Sequence, residues 1–151
     1  MELRLATEND SEKISALIRE STLQNPNNYS VDQKNAWIEY NSVERIKSFL
    51  KDRKTLCFYI DDKLVGTISL KIDEILGFYV SHELRGKGFG SLLLKKVEQL
   101  ARESGLTRIH LSATPSAIGF YKRHGYVGMG EIIVTILGVD FEEIAMEKAL
   151  Y

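Results

Sequence analysis

The chain has 151 residues, 44% of them hydrophobic and 27% charged, with a net charge of −1. This length supports one domain over residues 1–151 with a sizeable core, and the charge balance leaves no basic surplus to neutralise nucleic-acid phosphates. No apolar run approaches the ~20 residues that cross a bilayer, and Met1-Glu2-Leu3-Arg4 carries no apolar signal core; the expectation is a cytoplasmic protein with neither membrane nor nucleic acid as partner.

Met1 to Ala6 alternates as a strand does. Thr7-Glu8-Asn9-Asp10 offers capping residues for a helix whose apolar positions are Ile14, Leu17, Ile18 and Leu23, and Asn25-Pro26-Asn27-Asn28 ends it. A second helical region runs from about Val31 to Leu50, with Trp37, Ile38, Val43, Ile46 and Phe49 facing inward; the break near Asn41-Ser42 divides it into two short helices. Strands Thr55 to Ile60 and Leu64 to Leu70 form a hairpin through Asp61-Asp62-Lys63. The single cysteine, Cys57, has no internal disulfide partner and reads as a buried, inert thiol in the first of these strands.

A further strand, Glu74 to Val80, runs into Arg85-Gly86-Lys87-Gly88-Phe89-Gly90, and a helix follows to Glu103 with Leu93, Val97, Leu100 and Ala101 at helical spacing. Ser104-Gly105 closes that helix, and Arg108 to Ala113 reads as the next strand. Pro115 suits the start of a helix that carries Tyr121 and stops at Gly125. Val127 to Ile136 and Val139 to Glu147 form a terminal hairpin around Leu137-Gly138. Strands with helices around them predict an α+β fold.

The glycine-rich turn carries the most chemistry. A strand turning through glycines into a helix gathers unpaired backbone N–H groups and the positive end of a helix dipole at one point, which suits a phosphate. Glycines permit close approach, while Arg85 and Lys87 add positive charge. A dinucleotide fingerprint would need glycine where Ser91 stands, and a Walker A loop would need the lysine that Gly90-Ser91-Leu92 lacks. An ordinary glycine-rich turn with solvated cations is the alternative.

The segment from Val80 to Gly90 closely resembles the acetyl-CoA-binding motif of the GNAT acyltransferase superfamily, Arg/Gln-x-x-Gly-x-Gly/Ala, met here by Arg85, Gly88 and Gly90. Ala113 to Tyr126 is similar to the family's Asn-x-x-Ala-x-x-Phe-Tyr-x-x-x-Gly-Phe segment through Ala117, Phe120, Tyr121, Gly125 and Tyr126, with Thr114 where asparagine is common. Asn28-Tyr29-Ser30-Val31-Asp32-Gln33, leading to Ala36-Trp37, resembles a Tyr-Ser-Pro-x-Gln…Trp segment of one bacterial branch, with Val31 replacing the proline. The resemblance implies a mixed, mostly antiparallel sheet of six to seven strands with about four flanking helices. It also implies acetyl-CoA as co-substrate and acetyl transfer to a primary amine of a small molecule or peptide; the residues themselves show no metal-ligand spacing, so no metal is expected.

An alkyl ammonium with a pKa near ~10.4 must lose its proton before attack, so the site needs a proton acceptor, a donor for the departing thiolate and N–H groups for the oxyanion. By resemblance Tyr121 is that acid, or hydrogen-bonds the sulfur; core packing is its structural alternative. Glu74 stands where some family members carry a catalytic glutamate, with Asp73 and an ordered water chain as competitors. Phe78, Tyr79 and Val80 end the strand that would pair with the pantetheine arm, and the Val80 N–H is the implied oxyanion donor. Arg85, Gly86, Lys87, Gly88, Phe89, Gly90 and Ser91 would hold the diphosphate.

His82, His110 and His124 lack ligand spacing, although His110 could face the cleft from its strand. Lys122-Arg123-His124 reads as a solvated helix face or a contact for a CoA phosphate. Tyr29, Trp37 and Tyr40 could wall an amine pocket, and Glu39, Glu131, Asp140 and Glu142 could attract a cation. Two other functions stay open: an acetyl-CoA sensor without catalysis, and a protein or N-terminal acetyltransferase. A homodimer is open as well.

Overall fold

The computed structural model describes residues 1–151 and begins with β1 (Glu2–Leu5). A 3-10 turn preceded by Thr7 leads into α1 (Ser11–Leu23). Two short helices follow, α2 (Val31–Tyr40) and α3 (Val43–Phe49), whose N-cap serines, Ser30 and Ser42, accept from the N–H groups of Gln33 and Arg45. The Ser42 cap is the physical reason the helical region divides where the sequence breaks. It also makes the helix count five where about four are expected.

The hairpin of β2 (Lys54–Ile60) and β3 (Lys63–Lys71) turns on Asp61 and Asp62, both at positive φ. Then come β4 (Glu74–Val80), α4 (Phe89–Glu103), β5 (Arg108–Ala113), α5 (Ile118–Arg123), β6 (Val127–Ile136) and β7 (Val139–Ala149). The seven strands form one sheet in the order β1-β2-β3-β4-β5-β7-β6. Every neighbouring pair is antiparallel except β4 and β5, which run parallel and meet at one residue pair, Glu74 with His110. Beyond that pair the two strands part.

Both faces of the sheet are covered. The larger core lies under α4 and α5 and includes Leu56, Phe58, Ile68, Ile75, Leu93, Leu94, Val97, Ile109 and Met146. The smaller one lies under α1 and α3 and joins Ile14, Leu17, Ile18 and Ile46 to Cys57, Tyr59 and Leu64. Cys57 is fully buried there, as expected, and burial pushes its thiol well up. Leu23 is 55% exposed, against expectation. The buried stripe of α1 runs through Ile14, Leu17, Ile18, Ser21 and Thr22, and Leu23, five residues past Ile18, lies about 140° round the helix from it.

One close approach fixes how α4 crosses the sheet. A Cβ at Gly66 on β3 would stand 2.7 Å from Leu93 Cδ1, and Leu93 is itself 1% exposed, with nowhere to turn. Gly66→Val is therefore expected to cost about 1–3 kcal/mol of stability through overpacking, read as a lowered denaturant midpoint. An unchanged midpoint would mean that α4 shifts freely on β3.

Candidate functional site

The turn after β4 is built to leave amides unpaired. Ser81 ends the strand, and His82–Leu84 forms a 3-10 turn. Gly86 and Gly88 follow at φ of 77° and 88°, which L side chains rarely adopt. Gly88 caps α4, so the N–H groups of Phe89, Gly90 and Ser91 lie ahead of the first intrahelical bond, Leu92 N–H to Gly88 O at 3.1 Å. Gly86 and Gly88 likewise donate to no backbone acceptor. The amides of Arg85 and Lys87 are by contrast taken up by His82 O and Leu84 O at 3.2 and 3.3 Å. Along this run five amides stand without a backbone acceptor: those of Gly86, Gly88, Phe89, Gly90 and Ser91. Arg85 and Lys87 keep exposed side chains at its rim. An added Cβ at Gly86 or Gly88 would meet nothing within 4 Å, so open space lies over both.

Aromatic side chains form the base of this turn. A Cβ at Gly90 would stand 3.5 Å from the Phe120 ring and 3.8 Å from Phe78. Phe78, Phe120, Tyr121 and Tyr126 pack edge to face. His124 is not solvated. Its Nδ1 lies 2.8 Å from Phe120 O, and its Nε2 lies 2.8 Å from Ser91 Oγ. A carbonyl only accepts, so Nδ1 donates to Phe120 O, and Nε2 shares a second hydrogen bond with the Ser91 hydroxyl. The bond ties α5, and with it Tyr121, to the start of α4.

β4 presents its free edge to the gap. Ser81 N–H donates to Val65 O on β3 at 2.7 Å. Successive amides point to opposite edges of a strand, so the Val80 N–H points away from β3, toward the opening beside β5. A bulge with Gly77 at φ 55° re-aims the side chains. Phe78 and Val80 pack with the α4 core, while Tyr79 packs on the opposite face. There the Tyr79 hydroxyl accepts from Trp37 Nε1 at 2.7 Å.

Four titratable side chains act on one another across the opening. Tyr121 is 8% exposed, and burial first and the Glu143 charge second push its phenol up, so it holds its proton at neutral pH. Tyr79 and Tyr29 are raised by burial and by Glu143 as well. Glu143, 5% exposed, has a carboxyl raised by burial alone to about 7. Its Oε2 and the Tyr29 hydroxyl are buried without a hydrogen-bond partner. The Tyr29 and Trp37 rings both pack against Phe141, two residues before Glu143 on the same face of β7.

The other sequence candidates fall elsewhere. Glu74 lies at the closed end of the opening, in the residue pair with His110. Its neighbour Ile75 packs into the α4 core, so Glu74 turns to the opposite face. His110 is exposed and bonds Asp73 Oδ1 at 3.0 Å, which takes both residues out of the cleft. Tyr40 packs on Phe49 and Arg45, away from the Tyr29–Trp37 cluster. Glu39, Glu131, Asp140 and Glu142 are exposed, as are Lys122 and Arg123. Glu143 is a buried, unpartnered carboxyl that the sequence reading did not single out. The signal was available in the alternation of β7, where Phe141 and Glu143 share a face that Asp140 and Glu142 do not. No group of three or more His, Cys, Asp or Glu side chains is placed to hold a metal ion.

Residues 14–126 match the profile of the acetyltransferase (GNAT) family. An uncharacterised N-acetyltransferase from Chlorobaculum tepidum is 32% identical over 93 residues, a stretch covering 56% of this chain and 56% of that protein. The chain thus matches little more than half the length of this relative. Among solved structures, the GCN5-related N-acetyltransferase from Rhodopseudomonas palustris has a TM-score of 0.92 at 28% identity, covering 99% of this chain and 95% of that one. The PaiA N-acetyltransferase from Thermoplasma acidophilum, in complex with coenzyme A, gives 0.79 at 26% identity and covers 98% of both chains.

Proposed function

This chain belongs to the acetyltransferase (GNAT) family, and we propose that it transfers the acetyl group of acetyl-CoA to a primary amine of a small molecule or peptide. The observation that carries this reading is the set of five unpaired amides at the start of a 15-residue helix, beside a strand edge that has no partner. The donor set fits a diphosphate: N–H groups converge, the dipole of α4 adds positive potential, and open space lies over Gly86 and Gly88. The free edge of β4 fits the amide-bearing pantetheine arm, which can pair with it as a strand would.

In this reading the chain's residues divide the work. The amides of Gly86, Gly88, Phe89, Gly90 and Ser91 bind the diphosphate, with Arg85 and Lys87 at the rim. The free edge at Phe78, Tyr79 and Val80 aims the thioester, and the Val80 N–H donates to its carbonyl oxygen as charge gathers there. Tyr121, still protonated at neutral pH, donates to the departing thiolate. Glu74 closes the far end of the opening on the acceptor's side of the sheet. The rings of Tyr29, Trp37 and Tyr79 wall the acceptor pocket.

Thiol release from acetyl-CoA across a panel of primary amines tests the reading, which fails if the protein binds acetyl-CoA and releases none. Tyr121→Phe is expected to lower kcat by roughly 10–10³-fold with little change in acetyl-CoA affinity; wild-type turnover would remove the assignment. Gly88→Glu adds bulk and negative charge over the amides and is expected to weaken coenzyme A binding by at least roughly tenfold in calorimetry. Undiminished affinity would refute the cradle.

A further inference from the structure

We propose that Glu143 receives the ammonium group of the acceptor and takes its proton. The inference rests on the reading above and goes beyond it by naming the base and the kind of amine. Three observations converge. Glu143 Oε2 is buried with no hydrogen-bond donor from the chain. Tyr121 and Tyr79, which pack on opposite faces of the sheet, both feel its charge. Tyr29 and Trp37 pack on Phe141, two residues before Glu143 on the same face of β7, and aromatic faces attract a cation as well as apolar surface.

The charge balance around Glu143 points the same way. The phenols that feel its charge are Tyr29 in the segment before α2, Tyr79 on β4 and Tyr121 on α5, and all three are neutral at pH 7. The charged residues of α2, Asp32, Lys34 and Glu39, leave its titration untouched, since burial is its one cause. On β6 Ile132 stands opposite it, while Glu131 pairs with Ile144 and is exposed; Asp140 and Glu142 of β7 are exposed as well. A buried carboxyl with no cation of its own keeps its proton to higher pH and ionises most readily against a cation from outside. One carboxylate among rings selects a primary ammonium on an apolar or aromatic body. Glu74, by contrast, is absent from the charges that act on Tyr79 or Tyr121.

The step balances as follows. The ammonium R–NH3⁺ passes one proton to the Glu143 carboxylate, and the freed nitrogen lone pair forms the C–N bond at the thioester carbonyl. The C–S bond breaks, and its electron pair leaves on sulfur, which takes the Tyr121 proton. The nitrogen's surplus proton returns through water to the Tyr121 oxygen, and Glu143 releases its own to solvent. The products are amide, thiol and one proton.

The test is the pH profile of kcat/KM for thiol release with phenethylamine and n-butylamine. For the wild type it is expected to rise with pH and level off above about 7, the value at which Glu143 ionises. Glu143→Gln is expected to lose roughly 10²–10⁴-fold in kcat/KM together with that rise, while coenzyme A affinity stays within about twofold; Glu143→Asp should restore part of the rate and the rise. Glu143→Gln with the wild-type rate and profile would overturn the proposal while leaving acetyl transfer intact, as would loss of the rise in Glu74→Gln instead. A wild type that binds acetyl-CoA but releases no thiol with any amine overturns the parent reading and this one with it.

A second readout needs no turnover. The folded protein holds the Glu143 proton up to about 7, whereas the unfolded chain releases it near 4.5. The folded state binds more protons between those values, so wild-type stability should fall as pH rises through that window. Glu143→Gln should flatten that fall, and an identical slope in both proteins would overturn the burial of the charge on which the proposal stands.

Discussion

The parting of β4 from β5 is the constraint on which the site depends. A backbone amide buried in a sheet must find an acceptor, and neighbouring strands normally supply it. Here two parallel strands share one residue pair and then diverge, which leaves one edge of β4 without a ladder inside an otherwise continuous seven-stranded sheet. The divergence creates an opening without removing a strand. It also lets groups from the two faces of the sheet meet: Tyr121 belongs to the α4 core, Tyr79 to the α1 side, and Glu143 acts on both.

The start of α4 is held against this opening by packing more than by the turn itself. Gly66 lets Leu93 press onto β3, and the bare Gly90 lets the helix start lie against Phe78 and Phe120. His124 then bridges α5 to Ser91 through two hydrogen bonds of 2.8 Å each. Beneath Tyr121, Tyr126 donates to Glu98 at 2.7 Å, and Lys148 donates to the same carboxylate at 3.1 Å. A buried carboxylate satisfied by a phenol and an ammonium fixes one arrangement of α4, α5 and β7. Tyr121 inherits its position from that arrangement, which rests on core residues that need never touch a ligand.

Much of this was legible in the sequence because local rules act within a few residues. The bounds of β4 and β5 follow from apolar runs punctuated by turn residues, and Ser42 marks the break between α2 and α3. The glycine-rich turn announced itself by its place between a strand and a helix. What sequence spacing does not reveal is which amides the turn consumes internally. Arg85 and Lys87 give theirs to His82 and Leu84, a consequence of the 3-10 turn that glycine spacing does not encode. Glu143 escaped for a different reason. Around Glu143 the strand alternates exposed and buried positions, but its acidic residues look alike in sequence until Phe141 shows which face is enclosed. Leu23 misled in the opposite sense: an apolar residue near a helix end joins the core only if its angle matches the stripe.

The polarity of the opening follows from these placements. At its mouth, five N–H groups and a helix dipole gather partial positive charge without a counter-charge from the chain. Glu143 on β7 adds a buried carboxyl that is equally without a partner from the chain and that burial keeps protonated up to about 7. The phenols of Tyr79 and Tyr121 stay neutral at pH 7, and Phe78 packs edge to face on Tyr121. Two unpaired sites of opposite sign within one fold raise its energy, because each desolvates groups that nothing in the chain repays. In the proposed reaction the diphosphate of the cofactor occupies the first site and the ammonium of the acceptor the second, so their reactive ends meet in the region between. There a developing oxyanion feels the Val80 amide most strongly and competing water least.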